Sequence, residues 1–178
     1  MAERKARRNQ APLVDRELLA YHEAGHAVLA RVLRLGLRCV IIVWDPVLES
    51  PGHCLHGRGG DVDPDFTTRA GYASNQRYIR KRGLFLYGGL AAEAIHYGND
   101  PRPYTSADEQ EIASLLFEAD CASDEERSAY IERLWRESQG LLNASLRAVK
   151  SLAHALLERN ELNGRSAHRI MRLSSKTT

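Results

Sequence analysis

His22-Glu23-Ala24-Gly25-His26 lies in a run from Asp15 to Leu35 whose apolar residues recur at helical spacing. Leu18, Leu19, His22, His26, Leu29 and Leu33 fall on one stripe, which predicts a helix with both histidines on its inward face. Four residues along a helix is about one turn, so the two imidazoles can reach a single ion. An imidazole turned toward the interior needs a partner, and a metal supplies one. Glu23 is placed beside His22, where its carboxylate can take a proton from a metal-held water. The rest of the chain must then supply a third ligand and a substrate surface.

The 178 residues, 43% hydrophobic, are enough for one well-buried core, and the expected organisation is a single domain over residues 15–178. Residues 1–14, with Arg4, Lys5, Arg7 and Arg8, read as a disordered basic arm. A net charge of +2 is too small to point to nucleic acid. No stretch has the length and apolarity of a membrane span, and no apolar signal core follows the basic start, which predicts a soluble cytoplasmic protein. Cys39, Cys54 and Cys121 show no CxxC spacing and fit a reducing compartment better than a disulfide framework. His53 and His56 form a second histidine pair, but on a strand they would point to opposite faces and share an ion poorly.

In chain order, Gly36 is the expected left-handed stop of the first helix. Cys39 to Trp44 reads as a buried strand closed by Asp45-Pro46. Between Leu48 and Asp65, rich in Gly, Pro and Asp, the one candidate strand is Gly52 to Gly57. Pairing it with the first strand would leave a free edge to which an extended peptide can add through main-chain hydrogen bonds. Thr67 to Leu86 has helical spacing, with Arg77, Arg80, Lys81 and Arg82 expected on a solvated face. Tyr87 to Ile95 is rich in Gly and Ala, permitting close packing on another backbone, and Glu93 within it is a candidate to ligate zinc or to orient a ligand histidine. Ser106 and Glu109 have capping-box spacing, which places Asp108 in a first turn, on one stripe with Ile112, Leu115 and Ala119. A helix after Asp124 should break at Gly140, a second should run from Leu141 to about Arg159, and a short one should lie near Ala167.

These motifs resemble the peptidase domain of the FtsH-type ATP-dependent zinc metalloproteases over nearly the whole chain after the arm. HEAGHAV at His22 to Val28 is similar to that family's zinc helix, and Val40-Ile41-Ile42 to the strand after it. LYGGLAAEAIHYG, Leu86 to Gly98, is similar to its second motif, and Ala155 to Gly164 to its closing helices. Ser106-Ala107-Asp108 stands where the family has the aspartate that is its third zinc ligand, although Ala107 and Glu109 depart from the usual neighbours. The resemblance implies a mainly α, zincin-like domain with a small β element, holding zinc between His22, His26 and Asp108. No GxxxxGK[ST] phosphate loop occurs in the chain, so a separate ATPase is the expected source of any ATP-driven unfolding.

The expected activity is hydrolysis of peptide bonds in peptides or unfolded proteins by a zinc-activated water, with Glu23 as general base. Asp108 and Glu93 compete for the third ligand position, since zinc accepts either carboxylate, and helix phase together with the resemblance favours Asp108. The alternative is a catalytically silent domain that keeps the fold to bind peptides or a partner; the intact set His22, Glu23 and His26 argues against it. A small peptidase that cleaves a repressor, using the same zinc helix on another scaffold, is disfavoured by the Leu86 to Gly98 motif.

Overall fold

The computed structural model describes residues 15–44, 50–56, 69–98, 107–117, 121 and 123–175, with the backbone alone at 69–75, 107, 109 and 116–117. The basic arm, the Asp45-Pro46 stop, the Ser106 cap, Ala119 and the Glu109 side chain lie outside what is described. Six helices and three short strands make up the described chain: α1 (Arg16–Val32), β1 (Cys39–Ile41), β2 (His53–Leu55), α2 (Arg69–Tyr97), α3 (Ala107–Phe117), α4 (Asp124–Ala144), α5 (Leu146–Arg159), β3 (Glu161–Asn163) and α6 (Gly164–Ser174). The architecture is mainly helical with one small sheet.

Helix α1 starts at Asp15, whose Oδ1 accepts from the N–H groups of Glu17 (2.9 Å) and Leu18 (3.3 Å). Its end differs from the expected stop at Gly36. Arg34 takes the left-handed conformation first, at φ 59°, while the Leu35 N–H donates to Ala30 O and the Arg34 N–H to Arg31 O. That pair of bonds is a Schellman end, and burying Leu35 holds it closed despite the cost of a non-glycine residue at positive φ.

Helix α2 is one continuous 29-residue helix that crosses α1 at glycine. A Cβ on Gly25 would run into the Gly88 carbonyl and lie 2.6 Å from the Cβ of Ala92, and one on Gly88 would lie 3.0 Å from Gly25 O. The two backbones therefore meet directly, which only residues without a Cβ allow. Leu29, Val40, Leu142, Leu152, Leu156 and Met171 fill the core between α1, α4, α5, α6 and the sheet.

The sheet has the order β2-β1-β3, antiparallel throughout. Val40, fully buried, pairs with Cys54 on one side and Leu162 on the other. The strand expected to reach Trp44 is shorter: Val43 and Trp44 are 44% and 38% exposed. Strand β2 is likewise shorter than Gly52 to Gly57, but among the described residues no strand pairs with its outer edge. The third strand lies between the helix expected to end at about Arg159 and the short one expected near Ala167, where no strand was expected.

The expected break at Gly140 is absent, and α4 runs through it to Ala144. A glycine in a helix interior costs about 1 kcal/mol relative to Ala. That is outweighed here by Leu134, Ser138 and Leu142, which bury one face on both sides of it. The break falls instead at Ser145, which caps the end of α4 and the start of α5. No described helix is long and apolar enough to cross a membrane.

Candidate metal centre

Helix α1 brings His22 and His26 to the crossing with α2, and α3 delivers Asp108 from its first turn. The His22 Nε2 and His26 Nε2 atoms are 3.0 Å apart, and Asp108 Oδ2 is 2.9 Å from the first and 3.1 Å from the second. These three are the group of side chains able to share a metal ion among the described residues.

The other ring nitrogens settle what those atoms are. His26 Nδ1 lies 2.8 Å from the Phe85 carbonyl oxygen, which can only accept, so the proton is on Nδ1 and Nε2 presents a lone pair. His22 Nδ1 lies 2.6 Å from Glu93 Oε1, again an acceptor. Two imidazole lone pairs and a carboxylate oxygen thus face one another across about 3 Å, an arrangement that repels unless a cation sits among them. Donors about 2.0–2.1 Å from a tetrahedral zinc are about 3.3 Å apart, so the set fits that ion with small adjustments.

Without metal, a proton takes the cation's place. Burial opposes charge on His22, yet its hydrogen bonds with Asp108 and Glu93 push its pKa up to about 10. Burial would raise Asp108, but the neighbouring His26 and His22 hold its carboxyl well below the usual carboxylate range. A metal must therefore displace a proton from His22 Nε2. Below about pH 10 the proton and the metal compete, so zinc affinity should climb about tenfold per pH unit from 6 to 8. Competitive chelator titrations at several pH values check this, and a flat profile would contradict it.

Glu93 is 6% exposed and touches the side of His22 facing away from the three converging atoms. A Cβ on Gly89 would overlap the His22 ring, 2.6 Å from Nδ1. The Gly88-Gly89 pair therefore does two things: Gly88 allows the helices to cross, and Gly89 makes room for the imidazole. The glycines were visible in the sequence as a close-packing signal, but which one faces the histidine was not.

Glu23 is 4% exposed, and its Oε2 has no hydrogen-bond partner among the described residues. Burial raises its pKa. The approach to β2 presses over it: a Cβ on Gly52 would lie 2.8 Å from Ile41 O and 3.2 Å from Glu23 Oε1. Cys54, two residues along, has its thiol pushed well above the ordinary range by burial.

Neither histidine of the second pair is among the three converging side chains. His56 Nε2 accepts from Arg82 Nη1 at 2.5 Å and its ring packs edge-on against Phe85. Arg82 was expected on a solvated face, but its Nε donates to Glu111 Oε1 at 3.0 Å and its guanidinium lies 5.3 Å from the centre of the Phe85 ring. Glu111 stands one turn after Asp108, so this ion pair fixes α3 against α2.

No protein-family model matches the chain. Similar proteins include the ATP-dependent zinc metalloprotease FtsH 1 of Symbiobacterium thermophilum, 28% identical over 191 residues that cover 94% of this chain and 31% of that protein. The ATP-dependent zinc metalloprotease FtsH of Thermobaculum terrenum is 27% identical over 201 residues, covering 91% of this chain and 29% of its own length. The chain is related to a region of these proteins and spans about three tenths of their length.

Proposed function

We propose that residues 15–178 form a zincin-like peptidase domain of the FtsH type, a zinc endopeptidase acting on peptides or unfolded proteins. The observation that carries this reading is the convergence of His22 Nε2, His26 Nε2 and Asp108 Oδ2 within 3.1 Å, with both Nδ1 protons committed elsewhere. Zinc held by those atoms would supply Lewis acidity for an incoming peptide carbonyl and acidify a water to a pKa of about 7. Glu23 takes a proton at Oε2, in a dry setting that leaves the carboxylate poorly solvated and therefore basic. It then gives that proton to the leaving amine. Glu93 and the Phe85 carbonyl hold the two imidazoles in the tautomer that points Nε2 inward. The outer edge of β2 offers backbone groups to an extended substrate.

Metal analysis of the purified protein, paired with cleavage of unfolded casein, tests this. The expected result is about one zinc per chain and a cleavage that chelation abolishes and zinc restores. Zinc binding without cleavage would transfer the fold to a silent peptide-binding role, and failure to bind zinc after reconstitution would end the reading.

A further inference from the structure

Of the three side chains that converge at the metal centre, His22 and His26 share α1, whereas Asp108 is brought to them by α3, a separate 11-residue helix. Among the described side chains of α3, Ile112 and Leu115 are buried, in one apolar cluster with Ile79, Phe85 and Leu86 of α2. Apolar burial is non-directional, so it keeps α3 on α2 without fixing how far the helix is slid or turned. Asp108 Oδ2 nevertheless meets two nitrogens, at 2.9 and 3.1 Å. A misplacement beyond about 0.5 Å is enough to spoil such a constellation.

Outside the centre, the directional side-chain bonds from the rest of the fold to α3 come, among the described residues, from Arg82. Its Nε donates to Glu111 Oε1 at 3.0 Å, its Nη2 donates to the same oxygen, and its Nη1 donates to His56 Nε2. All three guanidinium nitrogens are thereby engaged, and the group also lies over the Phe85 ring. Glu111 is three residues after Asp108, about 60° around the helix and about 4.5 Å along it, so the two carboxylates share one face of α3. A shift of one is a shift of the other. An exposed ion pair ordinarily holds little, because two long side chains must be frozen to make it. Arg82 is frozen already: its side chain is 20% exposed, against 47% for Glu111, and its contacts with His56 and Phe85 fix the fork independently of Glu111. Phe85 is also the residue whose carbonyl accepts from His26 Nδ1, so Arg82 rests on the group that orients one ligand while it grips the helix that carries another.

We propose, resting on the zinc-site reading above, that Arg82 is a positioning residue of the metal centre: a clasp that, through Glu111, sets α3 where Asp108 completes the ligand set. It acts through Glu111 and not on the metal. A pair that merely stabilised the fold would lower the melting temperature and leave the zinc affinity of the folded chain where it was. A pair that positions Asp108 moves the affinity itself.

The test is zinc affinity by chelator competition on the full chain, read beside thermal melting of the zinc-free protein, in Arg82→Gln, Glu111→Gln and the double variant. Each single substitution should weaken zinc binding about tenfold, the low end of what losing a group that orients a ligand costs. The double should also lose about tenfold and not about a hundredfold, because both singles break the same contact. Arg82→Lys, which keeps the charge without the fork, should fall between the parent and Arg82→Gln. Glu111 is exposed, so its substitution leaves the core untouched and keeps the test readable if Arg82→Gln fails to fold. Arg80→Gln/Glu137→Gln breaks an ion pair that α2 makes to α4 instead, and should leave zinc affinity unchanged whatever it does to melting. Unchanged affinity in both single variants of a parent that binds zinc would overturn the clasp and leave the peptidase reading standing. Multiplied losses in the double variant, or an equal loss in the Arg80/Glu137 control, would overturn the clasp as well. A parent that binds no zinc would overturn both.

Discussion

Glu23→Gln should keep the zinc and lose peptide hydrolysis by about 10²–10⁴-fold, the usual contribution of a general base. The substitution keeps side-chain volume within the α1–β2 contact, where Glu23 is buried beneath Gly52, so packing is preserved. It removes the carboxylate's capacity to take a proton, and an amide at Oε2 has none. None of the three converging atoms belongs to Glu23, which is why metal content should not move. Zinc content and casein turnover measured on the same preparation decide the matter. Turnover equal to the parent's would refute Glu23 as the base, whereas loss of both zinc and turnover would mean that Glu23 supports the metal site instead.

Asp108→Ala should weaken zinc binding far more than Glu93→Ala. In Asp108→Ala one of three converging donors is gone, and the two remaining lone pairs face a wider gap. In Glu93→Ala all three donors remain, but the His22 Nδ1–H loses the acceptor that fixes its ring, a change that typically costs about 10–100-fold in affinity or activity. Chelator-competed titration of the two variants reads the ranking directly. The reverse order would assign the ligand role to Glu93.

Helix α1 was legible because it combines a strong capping residue, a long apolar stripe and a spacing with chemical meaning, all within 20 residues. Asp108 could be placed on the inward stripe of α3 by phase, yet nothing local says that this stripe meets His22 across 86 positions of chain. Tertiary packing makes that contact. Glu93 could be singled out as a buried acid but not assigned to one nitrogen, since the choice depends on how α2 rotates over Gly25. The end of α1 at Arg34 and the passage of α4 through Gly140 went against residue propensity for the same reason: burial of Leu35 in one case and of Leu142 in the other outweighs the local cost. Strand β3 is three residues long, with only Leu162 buried, and a stretch that short carries no periodicity of its own.

That strand has a consequence for the order in which the molecule is assembled. Ile41 pairs with His53, 12 positions away, and with Glu161, 120 positions away. Closing the longer loop costs about 2 kcal/mol more chain entropy than closing the shorter one, from the logarithmic dependence on length. The hairpin of β1 and β2 can therefore form early, while the opposite edge of β1 waits for residues 161–163 to be made. During synthesis from the N-terminus, that edge is open to pairing with another copy until residues 161–163 emerge and the Gly164 N–H reaches Arg38 O at 2.6 Å.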